Sequence, residues 1–206
     1  MRAIAHRGAS GYAPENTRAA FERAIAMGAD AIETDVQLTA DGRMVLFHDG
    51  TVDRTSDGKG PLADYTLDEL RRLDLGGWFG AEFVGERVPT LEEALDELAA
   101  RIPFALEIKD PRAAVPLAAR GGRDEVTLRS FSWGARLDAR AANPALACGL
   151  LTRTLEADIV ARSARRGFAE IYPHIERLTA RRVALAHGAD LRVFAWGLGR
   201  RDLVER

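Results

Sequence analysis

From residue 103 to residue 196 the chain alternates between short apolar runs and longer stretches of helical character. The expected strands are residues 103–109, 125–131, 145–152, 169–174 and 191–196, and the expected helices are residues 112–120, 133–142, 155–166 and 176–187. Strands that alternate with helices in this way predict parallel strands joined by helical crossovers. The alternation therefore limits the chain to a parallel α/β architecture.

The N-terminal part of the chain continues this pattern. Residues 1–5 predict a short strand, a helix is expected from about Glu15 to Met27 with Pro14 in its entry turn, and the next strand begins at Ala31. Seven β units in all indicate a TIM (β/α)8-type barrel whose eighth strand is missing from this chain, which ends at the start of a further helix. A doubly wound sheet is the alternative, although the glycine-rich phosphate turn of that fold is absent after the first strand.

The segment of residues 31–49 carries the first candidate chemistry. Glu33 and Asp35 alternate with apolar residues, so both carboxylates share one face of the expected strand. An Asp-Gly pair at positions 41 and 42 indicates a two-residue hairpin turn, which would place Asp35 opposite His48. One more residue in the turn would send His48 to the opposite face. With the shorter turn, two carboxylates and an imidazole would converge.

Glu107 and Lys109 repeat the same two-residue spacing at the end of a later strand. Active sites of TIM barrels lie at these strand ends, so Glu107 is expected beside Glu33 and Asp35. Three converging carboxylates repel one another unless a cation lies among them, and oxygen ligands without cysteine indicate Mg²⁺ or Ca²⁺. For Glu107, a buried ion pair with Lys109 or an arginine is the alternative.

Two histidines, His6 and His48, are expected at the same edge of the sheet. Imidazole exchanges protons near neutral pH, which suits both residues to general acid-base catalysis. Arg7 carries a guanidinium fork that matches two phosphoryl oxygens. The alternatives are hydrogen-bonded structural histidines and a solvated arginine.

Residues 50–88 read as an irregular, glycine-rich insertion in a single domain that spans residues 1–206. It contains one expected short helix, which a capping box of Thr66 and Glu69 opens, and a second box of Thr90 and Glu93 opens the helix that follows. Irregular connections of this length are usually functional.

Composition excludes several classes of protein. The net charge of −2, with both signs interspersed, gives no basis for binding nucleic acid or an anionic membrane through bulk electrostatics. Cys148 is the single cysteine, so an internal disulfide framework is excluded and cytoplasmic residence is expected. The sequence has no apolar run long enough to span a bilayer.

Several short motifs follow one another in a characteristic order. They are HRG at 6–8, PENT at 14–17, E-x-D at 33–35, T-x-DG at 39–42, HD at 48–49, D-R-T at 53–55, PTLEEAL at 89–95, LEIK at 106–109 and SF at 130–131. Together they resemble the glycerophosphodiester phosphodiesterase family. The resemblance implies a TIM barrel with a small insertion after the second strand. It also implies metal-dependent hydrolysis of a glycerophosphodiester to glycerol 3-phosphate and an alcohol.

The resemblance also implies roles for individual residues. It makes His6 and His48 the general acid and base, Glu33, Asp35 and Glu107 the metal ligands, and Arg7 and Lys109 phosphate contacts, with Glu15 as a supporting residue of the substrate-binding group. The glycerol end of the substrate is expected to meet aromatic surface, with Trp196 and Phe131 or Trp78 as candidates and core packing as the alternative.

The sequence also departs from the family pattern. Trp196 is followed by Gly-Leu-Gly rather than by threonine, an apolar residue and an acid or amide, and the acidic motif of an eighth strand is absent. These departures concern the closure of the barrel, because a missing eighth strand would leave a gap between its first and last strands. If a second subunit closes that gap, the protein is a homo-oligomer.

Two other functions fit the same sequence. One is a phospholipase D-like relative that acts on lysolipid head groups, for which Trp78, Phe79 and Phe83 would have to dock on a membrane although their neighbours are acidic. The other is a non-catalytic binding protein built on an incomplete barrel.

Overall fold

The computed structural model describes residues 3–120 and 126–197. Its strands are β1 Ile4–His6, β2 Ala31–Leu38, β3 Met44–Leu46, β4 Phe104–Ile108, β5 Val126–Ser130, β6 Cys148–Thr152, β7 Glu170–Pro173 and β8 Arg192–Val193. Seven of them form one parallel sheet in the order β1-β2-β4-β5-β6-β7-β8, and β3 pairs antiparallel with β2. Because each parallel strand follows its predecessor around the sheet, the TIM-type prediction is confirmed and the doubly wound alternative is wrong.

Helices connect the parallel strands. They are α1 Arg18–Ala26, α2 Leu67–Leu70, α3 Leu91–Leu98, α4 Ala114–Arg120, α5 Trp133–Ala142, α6 Ala157–Arg165 and α7 Ala180–His187. Both predicted capping boxes, at Thr66 and at Thr90, are present. The predicted start of the first helix at Glu15 is wrong: Thr17 caps α1 by accepting a hydrogen bond from the Ala20 amide, while Asn16 lies in the left-handed region with φ of 56°.

Two hydrophobic clusters hold the structure together. The larger one joins the sheet to its helices, and in it the rings of Phe21 and Phe104 meet edge to face at 5.9 Å. The smaller one joins β3 to the insertion and comprises Val45, Phe47, Val52, Leu62, Leu67, Leu70, Leu75 and Val88. The insertion therefore packs its own apolar side chains against the segment that leads to His48.

The hairpin between β2 and β3 differs from the predicted one. Leu38 pairs with Met44, and the amide of Phe47 donates to the Asp35 carbonyl, so Asp35 lies opposite Phe47 rather than His48. The turn has three residues, 40–42, because the Thr39 amide donates to the Arg43 carbonyl across it. Only Gly42 takes a positive φ, 75°, whereas the predicted two-residue turn needs two such residues. A contact outside the hairpin, from the Leu67 amide to the Asp41 carboxylate, favours the longer turn.

The C-terminal part of the sheet is shorter than predicted. β8 has two residues. Trp196 lies beyond it and is joined to the end of β7 by an isolated bridge to His174, in which its amide donates to the Pro173 carbonyl. In the described ranges β1 and β8 are the two edges of the parallel sheet. The expected final helix at 200–206 and the family departure at 198 and 199 lie outside those ranges. No helix in the described part of the chain is long and apolar enough to cross a bilayer.

Candidate active site

Three buried carboxylates meet where β2 and β4 run side by side. Glu33 and Asp35 project from the same face of β2, and Asp35 is the register partner of Glu107 on β4. One carboxylate oxygen of each residue lies within 4.8 Å of the other two. Oxygen ligands on opposite sides of a divalent cation are separated by about 4–5 Å, so this spacing fits a shared ion.

Charge in this cluster is only partly balanced by the protein. Burial, followed by repulsion from Asp35, raises the pKa of Glu33 to about 8, and burial also raises the pKa of Glu107. The Lys109 ammonium lies 2.7 Å from Glu107 Oε1 and 3.2 Å from Asp35 Oδ1. The ion pair between Glu107 and Lys109 that the sequence left open therefore exists, together with the carboxylate cluster. A cation would offset the remaining repulsion, so the donor set fits a metal ion.

Among the three carboxylates, Asp35 has the surroundings that most favour its ionised form. Burial alone would raise its pKa, but Lys109, Arg7 and a hydrogen bond from Asn16 together lower it. The Asn16 side-chain amide donates to Asp35 Oδ2 at 2.9 Å, and its carbonyl accepts from the Thr34 hydroxyl at 2.8 Å. Asp35 is thus ionised and held in a fixed orientation.

The loop after β1 brings His6 and Arg7 to the carboxylates. His6 is the register partner of Glu33, and its Nε2 lies 3.9 Å from Glu33 Oε2. Desolvation and the neighbouring Arg7 lower the pKa of His6. Arg7 has φ of 57°, which directs its amide to Glu33 Oε2 at 3.1 Å, and its Nε lies 3.4 Å from Asp35 Oδ2.

His48 enters the site from the segment after β3. Its Nδ1 lies 2.5 Å from Asp49 Oδ1, and its charge is among those that lower the pKa of Asp35. Gln37 on β2 fixes the backbone on both sides of His48, because its side-chain amide donates to the carbonyls of Phe47 and Asp49. This anchor keeps His48 near Asp35 although the predicted register is wrong.

Glu15 lies between two arginines. Its Oε1 accepts from Arg7 at 2.8 Å, and both of its oxygens accept from Arg54 of the insertion. Burial would raise the pKa of Glu15, but the two arginines together lower it. Glu15 therefore holds the Arg7 guanidinium through a hydrogen bond.

The predicted aromatic residues lie elsewhere along the strand ends. Phe131 follows β5 and Trp196 follows β8, and their rings meet edge to face at 5.6 Å. The Trp196 indole donates to the Thr152 carbonyl, and its ring also packs against His174. In the described ranges these two rings contact each other, and no hydrogen bond joins either of them to the carboxylate cluster. The remaining eight predicted site residues belong to one connected group: His6, Arg7, Glu15, Glu33, Asp35, His48, Glu107 and Lys109.

Sequence reasoning assigned no role to three residues of this group's surroundings. Asn16 orients Asp35, Asp49 contacts His48, and Arg54 joins Asp49 to Glu15. Each of them lies inside a motif that the sequence analysis noted, PENT, HD or D-R-T, which is the signal that could have identified it. Asn16 and Arg54 bond to residues 19 and 39 positions away along the chain, so spacing alone could not reveal those pairs. Asp49, by contrast, is next to its partner His48.

Chemically, the group combines a place for a cation with two fixed positive charges and two imidazoles. Such an arrangement can bind an anionic oxygen compound and move protons on either side of it.

Comparisons with known proteins agree with this chemistry. A family model described as the glycerophosphoryl diester phosphodiesterase family matches residues 6–206. A glycerophosphodiester phosphodiesterase from Caldanaerobacter subterraneus subsp. tengcongensis is 35% identical over 213 residues, which cover 98% of this chain and 88% of the relative. One from Bacillus subtilis is 44% identical over 116 residues, which cover 52% of this chain and 40% of the relative. Matches to further curated relatives cover 30% to 45% of their lengths, so the chain spans less than half of those proteins.

Solved structures resemble the whole chain. An Oleispira antarctica phosphodiesterase in complex with the product sn-glycerol-3-phosphate superposes with a TM-score of 0.92 at 30% identity, covering 100% of this chain and 87% of that one. A glycerophosphodiester phosphodiesterase from Agrobacterium tumefaciens gives a TM-score of 0.85 at 31% identity, covering 100% and 91%.

Proposed function

The chain belongs to the glycerophosphoryl diester phosphodiesterase family, and on that premise we propose that it hydrolyses glycerophosphodiesters to sn-glycerol 3-phosphate and an alcohol. One observation carries the proposal. The buried cluster of Glu33, Asp35 and Glu107 directly contacts the cationic side chains of Arg7 and Lys109. A phosphodiester repels nucleophiles because it is an anion. A divalent cation held by the three carboxylates, together with Arg7 and Lys109, would offset that charge.

Both a bound metal ion and cationic side chains of the protein would contact the phosphate. Glu33, Asp35 and Glu107 would hold Mg²⁺ or Ca²⁺, which polarises a phosphoryl oxygen and so stabilises the developing charge. Arg7 offers its guanidinium to the remaining phosphoryl oxygens, and Glu15 keeps that guanidinium in place from the other side. Lys109 adds an ammonium between two of the carboxylates.

Proton transfer falls to His6 and His48. One imidazole accepts the proton of the attacking hydroxyl, which belongs to water or to the glycerol moiety itself. In the second case the attack closes a cyclic phosphodiester, and water must then add to phosphorus and open that ring to give glycerol 3-phosphate. The other donates a proton to the alkoxide that leaves when its bond to phosphorus breaks. Asp49 faces Nδ1 of His48, which leaves the opposite ring nitrogen, Nε2, for this transfer.

Two observations concern the glycerol end of the substrate. The Oleispira antarctica relative was solved with sn-glycerol-3-phosphate, which supports the same product here. Phe131 is 44% exposed beside Trp196, so this pair offers aromatic surface for the glycerol carbons. Cytoplasmic residence and assembly into a homo-oligomer stay predictions.

Release of glycerol 3-phosphate tests the proposal directly. Glycerophosphocholine and glycerophosphoethanolamine are offered to the protein after chelation, and again with Mg²⁺ or Ca²⁺ restored. We expect release only with the metal, and its loss in Glu33→Ala. The matched control is Glu97→Ala, because Glu97 pairs with Arg18 on the surface of the molecule. A folded protein that releases nothing with any cation would contradict the proposal, and release of the head group from a lysolipid instead would favour the phospholipase D-like function.

The two histidines are tested in the same assay. General acid-base steps each contribute about 10²- to 10⁴-fold, so His6→Ala and His48→Ala should lose at least that much turnover while the fold survives. His187→Ala is the control, because His187 is exposed at the end of α7. Retained turnover in both site variants would overturn their assignment.

A further inference from the structure

Arg54 makes three hydrogen bonds that the reaction scheme leaves unexplained. Its Nε donates to Asp49 Oδ2 at 2.6 Å, its Nη1 donates to Glu15 Oε2 at 2.9 Å and its Nη2 donates to Glu15 Oε1 at 2.7 Å. Both carboxylates lie on the outer side of the proposed catalytic group. Both of their pKa values are lowered, and for Asp49 the hydrogen bond from Arg54 is the main cause.

The two carboxylates lead to opposite sides of the site. Asp49 contacts Nδ1 of His48, whereas Glu15 accepts from Arg7, whose Nε lies beside Asp35. Charges alternate along this path, with an acid on either side of each arginine. Arg54 therefore links the segment that carries His48 to the loop that carries Arg7 from the side of the insertion, in addition to the contacts that both make with β2.

The insertion holds Arg54 firmly. Its neighbours Val52 and Thr55 are buried, and the backbone of Val52 bonds to Gly60 across the same loop. The Arg54 side chain itself is 45% exposed. Arg54 therefore acts on the site through its hydrogen bonds to Asp49 and Glu15 and not through burial of its side chain.

We propose that Arg54 is a positioning residue: it holds Asp49 against His48 and Glu15 against Arg7, so that the insertion fixes the proton-transfer side and the phosphate side of the site relative to each other. The inference rests on the proposed phosphodiesterase activity. A planar guanidinium can serve both carboxylates at once, whereas an ammonium is a point charge without that fork. Misplacing a reacting group by about 1 Å can cost 10²-fold in rate.

The experiment compares Arg54→Ala and Arg54→Lys with the unaltered protein. We expect kcat/KM for glycerophosphocholine to fall about 10- to 100-fold in both variants, as it does when partners that orient site residues are removed. Methylguanidinium added to Arg54→Ala should restore part of the rate, because it can occupy the vacated position. Arg101→Ala is the matched control: Arg101 makes the same fork to Glu22, with two bonds of 2.8 Å, on the surface.

Three results would overturn the proposal. They are an unchanged kcat/KM in Arg54→Ala, an equal loss in Arg101→Ala, and full activity in Arg54→Lys. A loss that methylguanidinium does not relieve, in a variant with a lowered Tm, would also count against it, since it would mark a general structural role.

A second readout separates this inference from the proposed activity. The ¹⁵N shifts of the His48 ring in the metal-free protein report which nitrogen carries the proton, and His48→Gln assigns the signal. We expect Nδ1 protonation in the unaltered protein, as the Asp49 contact requires, and a mixed tautomer in Arg54→Ala. If the protein releases no product but the tautomer shifts, the proposed function fails and the positioning role stands. If the shifts stay unchanged, the positioning role fails.

Discussion

The Asn16 side-chain amide donates a hydrogen bond to Asp35 Oδ2 at 2.9 Å, and both side chains are almost completely buried. Asn16 takes φ of 56°, a conformation that asparagine tolerates better than most residues. Its carbonyl also accepts from Thr34, the neighbour of Asp35 on β2. The loop after β1 therefore orients a carboxylate of the next strand.

Replacing Asn16 should weaken metal binding. Asn16→Gly keeps the backbone conformation but removes both hydrogen bonds, so we expect the dissociation constant for Mg²⁺ to rise about 10- to 100-fold. The free energy of unfolding should fall by about 1–3 kcal/mol, because Thr34 and Asp35 lose buried partners. Calorimetric titration of Mg²⁺ without substrate measures the first effect. Asp190→Gly is the control, since Asp190 has the same positive φ in an exposed turn; an unchanged affinity in Asn16→Gly would contradict the role.

Glycine at position 8 should be required for a different reason. Gly8 has φ of 78°, and a Cβ there would lie 2.7 Å from the Ala20 carbonyl carbon in α1. Gly28 has φ of 76° with open space around it, so Gly28→Ala isolates the conformational cost of about 1–2 kcal/mol. Gly8→Ala should lose about 1–3 kcal/mol more through overpacking, and should displace Arg7 as well. Urea unfolding compares the two variants, and equal losses would show that the close approach to Ala20 is unimportant.

Local sequence patterns predicted the elements whose determinants are local. The capping boxes at Thr66 and Thr90 formed as expected because each side chain bonds within its own first turn. The alternation of strands and helices likewise sufficed for the parallel sheet. The helix start at Glu15 failed because Glu15 is drawn to Arg7 and Arg54, which a local pattern does not contain.

The site itself was predictable only in part. Two-residue spacing in β2 and β4 placed Glu33, Asp35 and Glu107 together, because side chains alternate along a strand. The position of His48 depended on the turn at Gly42 and on Gln37, whose amide fixes the backbone on both sides of that histidine. His48 thus acts electrostatically on Asp35 although the register predicted for the two residues was wrong. The D-R-T motif contains Arg54, but spacing could not pair it with Glu15, which is 39 residues away.

Acid titration should reveal the link between Asp49 and Arg54. The hydrogen bond from Arg54 is the main cause that lowers the pKa of Asp49 to about 2, against about 3.9 for an unfolded aspartate. A lowered folded-state pKa stabilises the protein above pH ~4, and this contribution is lost as the pH falls from 4 towards 2. In urea unfolding with a chelator present, Asp49→Asn should therefore be destabilised more at pH 6 than at pH 3. The pH-dependent part should shrink in an Arg54→Gln background, and a destabilisation independent of pH would show that Asp49 is not held as an ion.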